Sequence, residues 1–368
     1  ESEPGTFKDI VLMSHDPHLV IEGMLICGWA VGLSSAFIYL RGEFYEGARI
    51  FKEAIKEARA KGYLGKNAMG KDGWDFDVTL VRGAGAYICG EETGMLSSIE
   101  GGRAYPKNKP PFPANPGGGL FGAPTVVNNV ETLANLPFIF ERGVDWFLSI
   151  GKGVMKPDER PPKNENHGNG TKLICVSGHV EKPGVYEVEL GTPLIDIINN
   201  TCGGVWKGRA LKAVIPGGSS AKIITAEETQ DATYSFYGLA SIDSMLGSGG
   251  IIVLDETVCI PDALYNIVRF YHHESCGQCT PCREGCGWLE KIMHRIVHGE
   301  GKPGDVELMR DICDNGVGRT ICALMDAAAF PVWSYTKKFR EEFDYLIEHK
   351  TSMVKDRLAA GSPTVAAT

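Results

Sequence analysis

The chain has 368 residues, 43% of them hydrophobic and 23% charged, which excludes a disordered polymer and is too long for one ordinary core, so two or three domains are expected. A net charge of −9 makes a nucleic-acid or anionic-membrane surface a poor default partner. No run reaches the roughly 18 apolar residues of a spanning helix; the longest candidate, Leu19 to Leu40, carries Glu22 and several glycines, so any membrane connection is expected through partner subunits.

The N-terminal part alternates helix and strand signals. Pro17 opens a helix through Leu19, Ile21, Met24 and Leu25, with Gly28 and Gly32 at its fading end. Ala36 to Leu40 reads as a buried strand. Phe44 to Lys61 places apolar residues at 44, 48, 51, 55 and 58, a helical stripe closed by Gly62. Phe76, Val78, Leu80 and Val81 form the next strand and run into the Gly-rich stretch from Arg82 to Gly90. Strand, helix and strand in that order predict a parallel α/β sheet. Pro106 to Pro124 holds six of the chain's 20 prolines and four glycines, a long loop of the kind that carries function.

Residues 152–170 read as a polar linker. Lys172 to Val180 and Val185 to Leu190 are strand-like, Pro193 to Asn199 is a short helix, and Leu211 to Ile215 and Ile251 to Leu254 are two more strands. Two strands, a helix and two strands predict a small β-grasp-like unit. From Pro261 the pattern is helical, with helices expected near 261–273, 284–298, 304–315 and 323–349, the last broken at Pro331. Pro261 and Pro303 stand at N1-like positions, and Gly299 and Gly316 past helix ends.

Eleven cysteines are distributed unevenly. Cys27, Cys89, Cys175, Cys202 and Cys259 lie alone in apolar or Gly-rich surroundings and read as small core residues. The other six crowd into the last hundred residues, the pattern of a metal site rather than a disulfide scaffold. Cys276, Cys279 and Cys282 make C-x2-C-x2-C in a loop between two helices. That spacing lets three thiolates converge on one [4Fe–4S] cube while Gly277 lets the backbone turn closely around it. Cys286 extends the run to C-x2-C-x2-C-x3-C. In a ferredoxin the fourth cysteine of that run serves a second cluster and precedes proline; here Gly287 follows and no second triplet exists. Cys322, after the break Gly318-Arg-Thr-Ile321, is the better fourth ligand, and Cys313 reads as core. The competing reading is zinc, which favours paired C-x2-C knuckles or Cys/His sets. His272 and His273 are either ligands or helix-end residues suited to the C-terminal dipole.

Arg82 to Thr93 sits where a strand meets a helix, a usual nucleotide position. It is neither a dinucleotide fingerprint, because Ile88 takes the third glycine's place, nor a P-loop, because Glu91 follows Gly90 where a lysine is needed. Glu91 and Glu92 would repel a phosphate. Either they meet the hydroxyls and N–H groups of a ribityl chain, an isoalloxazine or a nicotinamide, or they match a helix N-terminal dipole. Lys107, Lys109 and Phe112 either hold a pyrophosphate and stack an adenine or form a solvated loop with one anchoring Phe. Asn128 and Asn129 stand at a helix start, where they cap it or bond a ligand ring.

Residues 1–9, 15–18, 82–93, 109–114, 127–133, 177–180, 214–220, 274–285 and 320–324, in that order, resemble the NADH-binding flavoprotein subunit of respiratory complex I, and Glu274 to Gly285 is highly specific. The resemblance implies an α/β flavin- and NADH-binding domain (1–160), a β-grasp-like, ubiquitin-like α+β domain of SLBB type (171–258) and a C-terminal helical bundle carrying an iron–sulfur cluster (260–358). It implies FMN beside Gly90, Glu91, Glu92, Val127, Asn128, Asn129 and Thr132, and NADH near Glu1, Glu3, Tyr87, Lys109 and Phe112. It assigns the [4Fe–4S] cluster to Cys276, Cys279, Cys282 and Cys322, with position 286 not a ligand. In the family an upstream Gly-rich loop cradles FMN phosphate; no counterpart is found here, and with the missing Met the sequence is expected to be a fragment.

The activity implied is hydride transfer from NADH to FMN by cofactor geometry, with no catalytic side chain, then single electrons through the cluster to partners and towards quinone. Those partners would be a thioredoxin-like [2Fe–2S] subunit and a large iron–sulfur subunit of the peripheral arm. The location implied is the cytoplasmic or mitochondrial-matrix side of the inner membrane. The rival readings are a diaphorase subunit of a soluble NAD(P)-linked hydrogenase or formate dehydrogenase, and a non-enzymatic iron–sulfur scaffold lacking flavin.

Overall fold

The computed structural model describes residues 2–151 and 168–360, so Glu1 and most of the polar linker lie outside the described residues. Two compact units divide the chain, one of Phe7–Ser149 and the other of Glu3–Thr6 with the chain from Ile150 on.

The first unit begins with α1 (Asp9–His15), a helix the periodicity does not show, and α2 (Pro17–Val31). Asp16 caps α2 by accepting the Leu19 N–H at 3.1 Å. The helix ends at Gly32, whose φ of 73° is open to glycine at little cost. Strands β1 (Ser35–Leu40) and β2 (Asp77–Arg82) pair in parallel from Ser35↔Asp77 to Leu40↔Arg82, joined through α3 (Tyr45–Ala60) as expected. The α3 stripe Ala48, Phe51, Ile55 and Ala58 is buried with Val20, Ile21, Ile38 and Val78 in one core. Each fully buried large apolar side chain there contributes about 1.5–3 kcal/mol over exposure. After β2 come a 3-10 turn (Tyr87–Gly90), α4 (Glu92–Ile99), the Pro-rich loop, α5 (Val130–Arg142) and α6 (Val144–Leu148).

The second unit opens with β3 (Thr171–Gly178), β4 (Gly184–Glu189), β5 (Thr192–Pro193) and α7 (Leu194–Asp196), which continues as a π turn over Ile197–Thr201. Then follow β6 (Leu211–Ile215), β7 (Ile224–Thr225), α8 (Ala226–Asp231), β8 (Thr233–Tyr234), α9 (Phe236–Ala240) and β9 (Gly250–Asp255). The sheet order is β4-β3-β9-β6-β7, with β3 and β9 parallel and the other pairs antiparallel. The sequence pattern yields four of these five strands. It misses β7, whose two residues are too few for an alternation to register. Ile174, Val176, Leu194, Ile197, Val214 and Val253 fill the core under the sheet.

Helices α10 (Ile260–Glu274), α11 (Thr280–Val297), α12 (Asp305–Gly316), α13 (Leu324–Lys338), α14 (Arg340–His349) and α15 (Met353–Ala359) complete the unit. Ile260, Leu264, Ile267, Val268 and Tyr271 recur on one face of α10 and are buried, as are Leu289, Ile292, Met293 and Ile296 of α11. Four boundaries differ from expectation. Helix α11 starts four residues early, α12 begins past Pro303 at Asp305, and Gly316 is its last residue. Pro331 lies inside α13, which breaks instead at Phe339. Burial of Ala328, Ala329, Val332 and Tyr335 around it outweighs the lost N–H bond, which tertiary packing can override. Cys89, Cys175, Cys202 and Cys313 are buried as expected, whereas Cys27 and Cys259 are half-buried.

Candidate functional site

The cysteine-bearing turn joins α10 to α11. The Ser275 N–H donates to the Tyr271 carbonyl at 3.0 Å and closes α10; Gly277 then turns with φ 77°. Cys279 is the N-cap residue of α11 and Pro281 fills its first turn. Cys282 therefore lies on the helix itself, not in the loop, and is buried. The Arg283 guanidinium donates to the Gly277 carbonyl at 2.9 Å, pinning the turn.

Cys322 is distant in sequence, yet its segment reaches the turn. The Ile321 N–H donates to Cys279 Sγ at 3.4 Å, and Thr320 Oγ1 donates to the Cys322 carbonyl at 2.8 Å. Ser275 Oγ stands 3.3 Å from Cys282 Sγ. Cys286, one turn further on α11, is buried and hydrogen-bonded to Cys282, within electrostatic range of Cys313 and Cys322. That bond draws the Cys282 thiol down to about 7, while the same bond and burial push Cys286 up. Burial also pushes Cys276 up.

Among the described residues no three Cys, His, Asp or Glu side chains gather around a point that a single metal ion would fill. A tetrahedral zinc site would draw its sulfurs to within about 4 Å of one another. A cube bonds each thiolate to a different iron and is met from farther apart. Cys276 and Cys279 lie in the turn, Cys282 lies in the first turn of α11, and the segment carrying Cys322 is hydrogen-bonded onto Cys279. His272 is engaged with Glu290, and His273 Nδ1 lies 2.9 Å from Glu274 Oε1, so both histidines already have partners. Ser275 and Ile321 escaped the sequence reading; a serine directly before the first cysteine is the one signal that marks the former.

At the Gly-rich loop, Glu91 is the N-cap of α4. Its Oε2 accepts the Gly94 N–H at 2.8 Å and the Thr93 hydroxyl at 2.5 Å. Lys109 Nζ lies 2.9 Å from Glu91 Oε1 and 2.6 Å from Glu92 Oε1. Burial alone would raise the Glu91 carboxyl, but hydrogen bonds from Thr93, Lys109 and Gly94 hold it below the usual range. Burial would lower Lys109, and the two glutamates raise it. The helix-start reading of the acids is thus correct as far as it goes, and Lys109 joins them. Lys107 pairs with Glu100 at 3.1 Å, Phe112 is exposed and Tyr87 is half-buried.

The amide pair divides. Asn129 is the N-cap of α5, accepting the Glu131 N–H at 3.0 Å. It also accepts from Lys8 Nζ at 3.2 Å and donates to Asp9 at 3.1 Å. Lys8 is buried, 2.7 Å from Glu131 and 2.5 Å from Asp9. Asn128 and Thr132 are exposed and Val127 is half-buried. Glu3 belongs to the other unit: Glu3 Oε1 accepts from Ser220 N and Ser220 Oγ, each at 2.9 Å, and from Ser219 Oγ at 3.3 Å.

Residues 1–138 match the family described as Nuo51 FMN-binding domain, 172–252 the SLBB domain, and 262–346 the NADH-ubiquinone oxidoreductase-F iron-sulfur binding region. One of the NADH-quinone oxidoreductase F subunits of Rhizobium meliloti is 47% identical over 350 residues, 95% of this chain and 79% of that protein. The chain belongs to the family of NADH-quinone oxidoreductase F subunits. A eukaryotic relative, the mitochondrial NADH dehydrogenase [ubiquinone] flavoprotein 1 of Dictyostelium discoideum, is also 47% identical, over 94% of this chain and 69% of its own. Among solved structures, an NAD+-reducing [NiFe]-hydrogenase in its H2-reduced state matches with a TM-score of 0.81 and 29% identity. That match covers all of this chain and 60% of the hydrogenase chain. Among the described residues no single helix is long and apolar enough to cross a membrane, although the bent pair α1 and α2 passes by length and composition.

Proposed function

We propose that this member of the F-subunit family takes electrons from NADH onto FMN and passes them singly to a [4Fe–4S] cluster held by Cys276, Cys279, Cys282 and Cys322, within a quinone-reducing assembly. What carries the reading is the Cys279–Ile321 hydrogen bond, which lays the Cys322 segment on the C-x2-C-x2-C turn in a chain 47% identical to a quinone-linked relative. When bound, FMN converts a two-electron donor into one-electron deliveries and the cluster serves as the one-electron carrier. The protein's part is binding and electrostatics. The Ser275 hydroxyl and Ile321 N–H favour the more negative charge of the cluster's reduced state. Gly90, Glu91, Glu92, Val127, Asn128, Asn129 and Thr132 are assigned to the flavin, Asn129 chiefly as the cap that fixes the start of α5. Glu1, Glu3, Tyr87, Lys109 and Phe112 are assigned to the dinucleotide. By pairing with Glu91 and Glu92, Lys109 offsets one of their two negative charges and so lessens the repulsion of an anionic nucleotide. No side chain is required as nucleophile or base.

The divisions 1–160, 171–258 and 260–358 remain the proposed domains, and the mixed sheet with its α7 turn supports a β-grasp-like middle one. Partner [2Fe–2S] and larger iron–sulfur subunits on the cytoplasmic or matrix face complete the proposal. A diaphorase role in a hydrogenase is the second reading, favoured by the hydrogenase likeness, but 47% identity to the quinone-linked relative against 29% to the hydrogenase supports the first. The protein from its full reading frame, prepared anaerobically, is expected to release fluorescent flavin on denaturation and to reduce ferricyanide with NADH. Cluster without flavin, inert to NADH, would establish the scaffold reading instead.

A further inference from the structure

The Glu3 carboxylate does not end at Ser219. Ser219 Oγ is 3.0 Å from the hydroxyl of Tyr271, and both residues are buried, at 1% and 0% exposure. Tyr271 lies in the last turn of α10. Its carbonyl accepts the Ser275 N–H at 3.0 Å, and the Ser275 hydroxyl stands 3.3 Å from Cys282 Sγ. Beside it is Tyr335 of α13, fully buried, whose hydroxyl has no hydrogen-bond partner among the described residues. Both tyrosines are thus fully buried, where a hydrogen bond is expensive to leave unmade.

We infer that Tyr271 is a positioning residue for Glu3: through Ser219 it fixes the carboxylate that meets the dinucleotide, and its helix end ties that carboxylate to the cysteine turn. The inference rests on the reading of Glu3 as a dinucleotide contact. Three donors converge on Glu3 Oε1, two from Ser220 and one from Ser219. The Ser220 bonds are local to one loop. The Ser219 hydroxyl is oriented only if its own partner holds it, because a hydroxyl has one proton to aim. The Tyr271 hydroxyl is that partner, on a helix whose side chain is locked by burial. Removing it leaves a buried Ser219 lone pair unmet and lets that hydroxyl turn from Glu3, so the carboxylate keeps only its Ser220 bonds and is held less rigidly before nucleotide arrives.

The test uses the complete, flavin- and cluster-loaded enzyme. Tyr271→Phe removes one oxygen and keeps the ring, and Ser219→Ala breaks the same chain one link nearer Glu3. Both are expected to raise the KM for NADH about five-fold, the equivalent of one lost hydrogen bond, with kcat for ferricyanide reduction changing less than KM. Glu3→Gln raises KM at least as far, and Glu3→Gln with Tyr271→Phe is no worse than Glu3→Gln alone, since the tyrosine acts through the carboxylate. The reduced cluster's electron paramagnetic resonance line shape and the iron content are expected to be unaltered in both, since Tyr271→Phe keeps the backbone carbonyl that receives the Ser275 N–H. If Glu3→Gln raises KM while Tyr271→Phe and Ser219→Ala do not, or if the double variant is additive, the inference fails and the assignment of Glu3 stands. If Glu3→Gln leaves KM unchanged, that assignment fails and the inference falls with it.

Discussion

Asp305 shows how a single buried carboxylate makes stability depend on pH. Its side chain is 4% exposed and takes two bonds from Arg295, one of 2.8 Å from Nε, and one of 2.9 Å from the Lys302 N–H. Burial alone would raise this carboxyl, but the Arg295 and Lys302 bonds hold it below the usual aspartate range. A depressed folded value means the stabilisation is complete above the unfolded value near pH 4 and is lost as pH falls through the folded one. Asp305→Asn is expected to cost about 2 kcal/mol at neutral pH, less than a fully buried pair because Arg295 is 29% exposed. Melting curves from neutral to about pH 3 should show the gap between wild type and variant closing on the acid side; a gap constant with pH would contradict the assignment. At this scale Cys276, Cys279 and Cys282 are legible because cluster ligands recur at fixed short spacings, whereas Cys322 is marked only by the break before it. The partners of these sulfurs are not legible, since a backbone N–H such as that of Ile321 leaves no mark in a sequence.

Elements were legible where one period ran long enough. The α3 stripe and the β1 and β2 runs gave a parallel pair, and α10 showed its buried face. Helix α1 was missed because seven residues give barely two turns, and β7 because two residues give no alternation. A helix expected only from 284 leaves Cys282 in the loop, whereas α11 starts at Thr280 with Pro281 in its first turn, where proline opens a helix. Helix packing in the first unit hinges on one small residue. A Cβ at Gly23 of α2 would come within 2.0 Å of the Leu133 carbonyl oxygen of α5, so Gly23→Ala must push the two helices apart. The expected cost is about 2–3 kcal/mol, measured as a lowered melting temperature. Because α5 starts at the residues assigned to FMN, flavin retention should fall as well. A variant as stable as wild type would show that this helix contact is not tight.

For the whole molecule, the patterns alone yield an α/β region, a region of alternating short strands and a helical region with clustered cysteines; flavin and SLBB for the first two come only from the resemblance of the ordered segments to the family. Ser219 and Ser220 as the seat of Glu3 were not readable, since more than two hundred residues separate them from it and no period links them. Where the sequence left Glu91, Glu92 and Lys109 with alternative readings, the structure joins them in one ion-paired group at the start of α4. The family reading requires Cys276, Cys279, Cys282 and Cys322 to serve one iron–sulfur centre. The most direct measurement is iron and sulfide analysis with electron paramagnetic resonance on anaerobically prepared protein, dithionite-reduced, comparing wild type with Cys322→Ala and Cys286→Ala. Wild type and Cys286→Ala should each hold about four irons per chain and give a reduced-cluster signal, and Cys322→Ala should lose both. Zinc in place of iron, or a cluster that survives loss of Cys322 and disappears with Cys286, would contradict the four-thiolate centre.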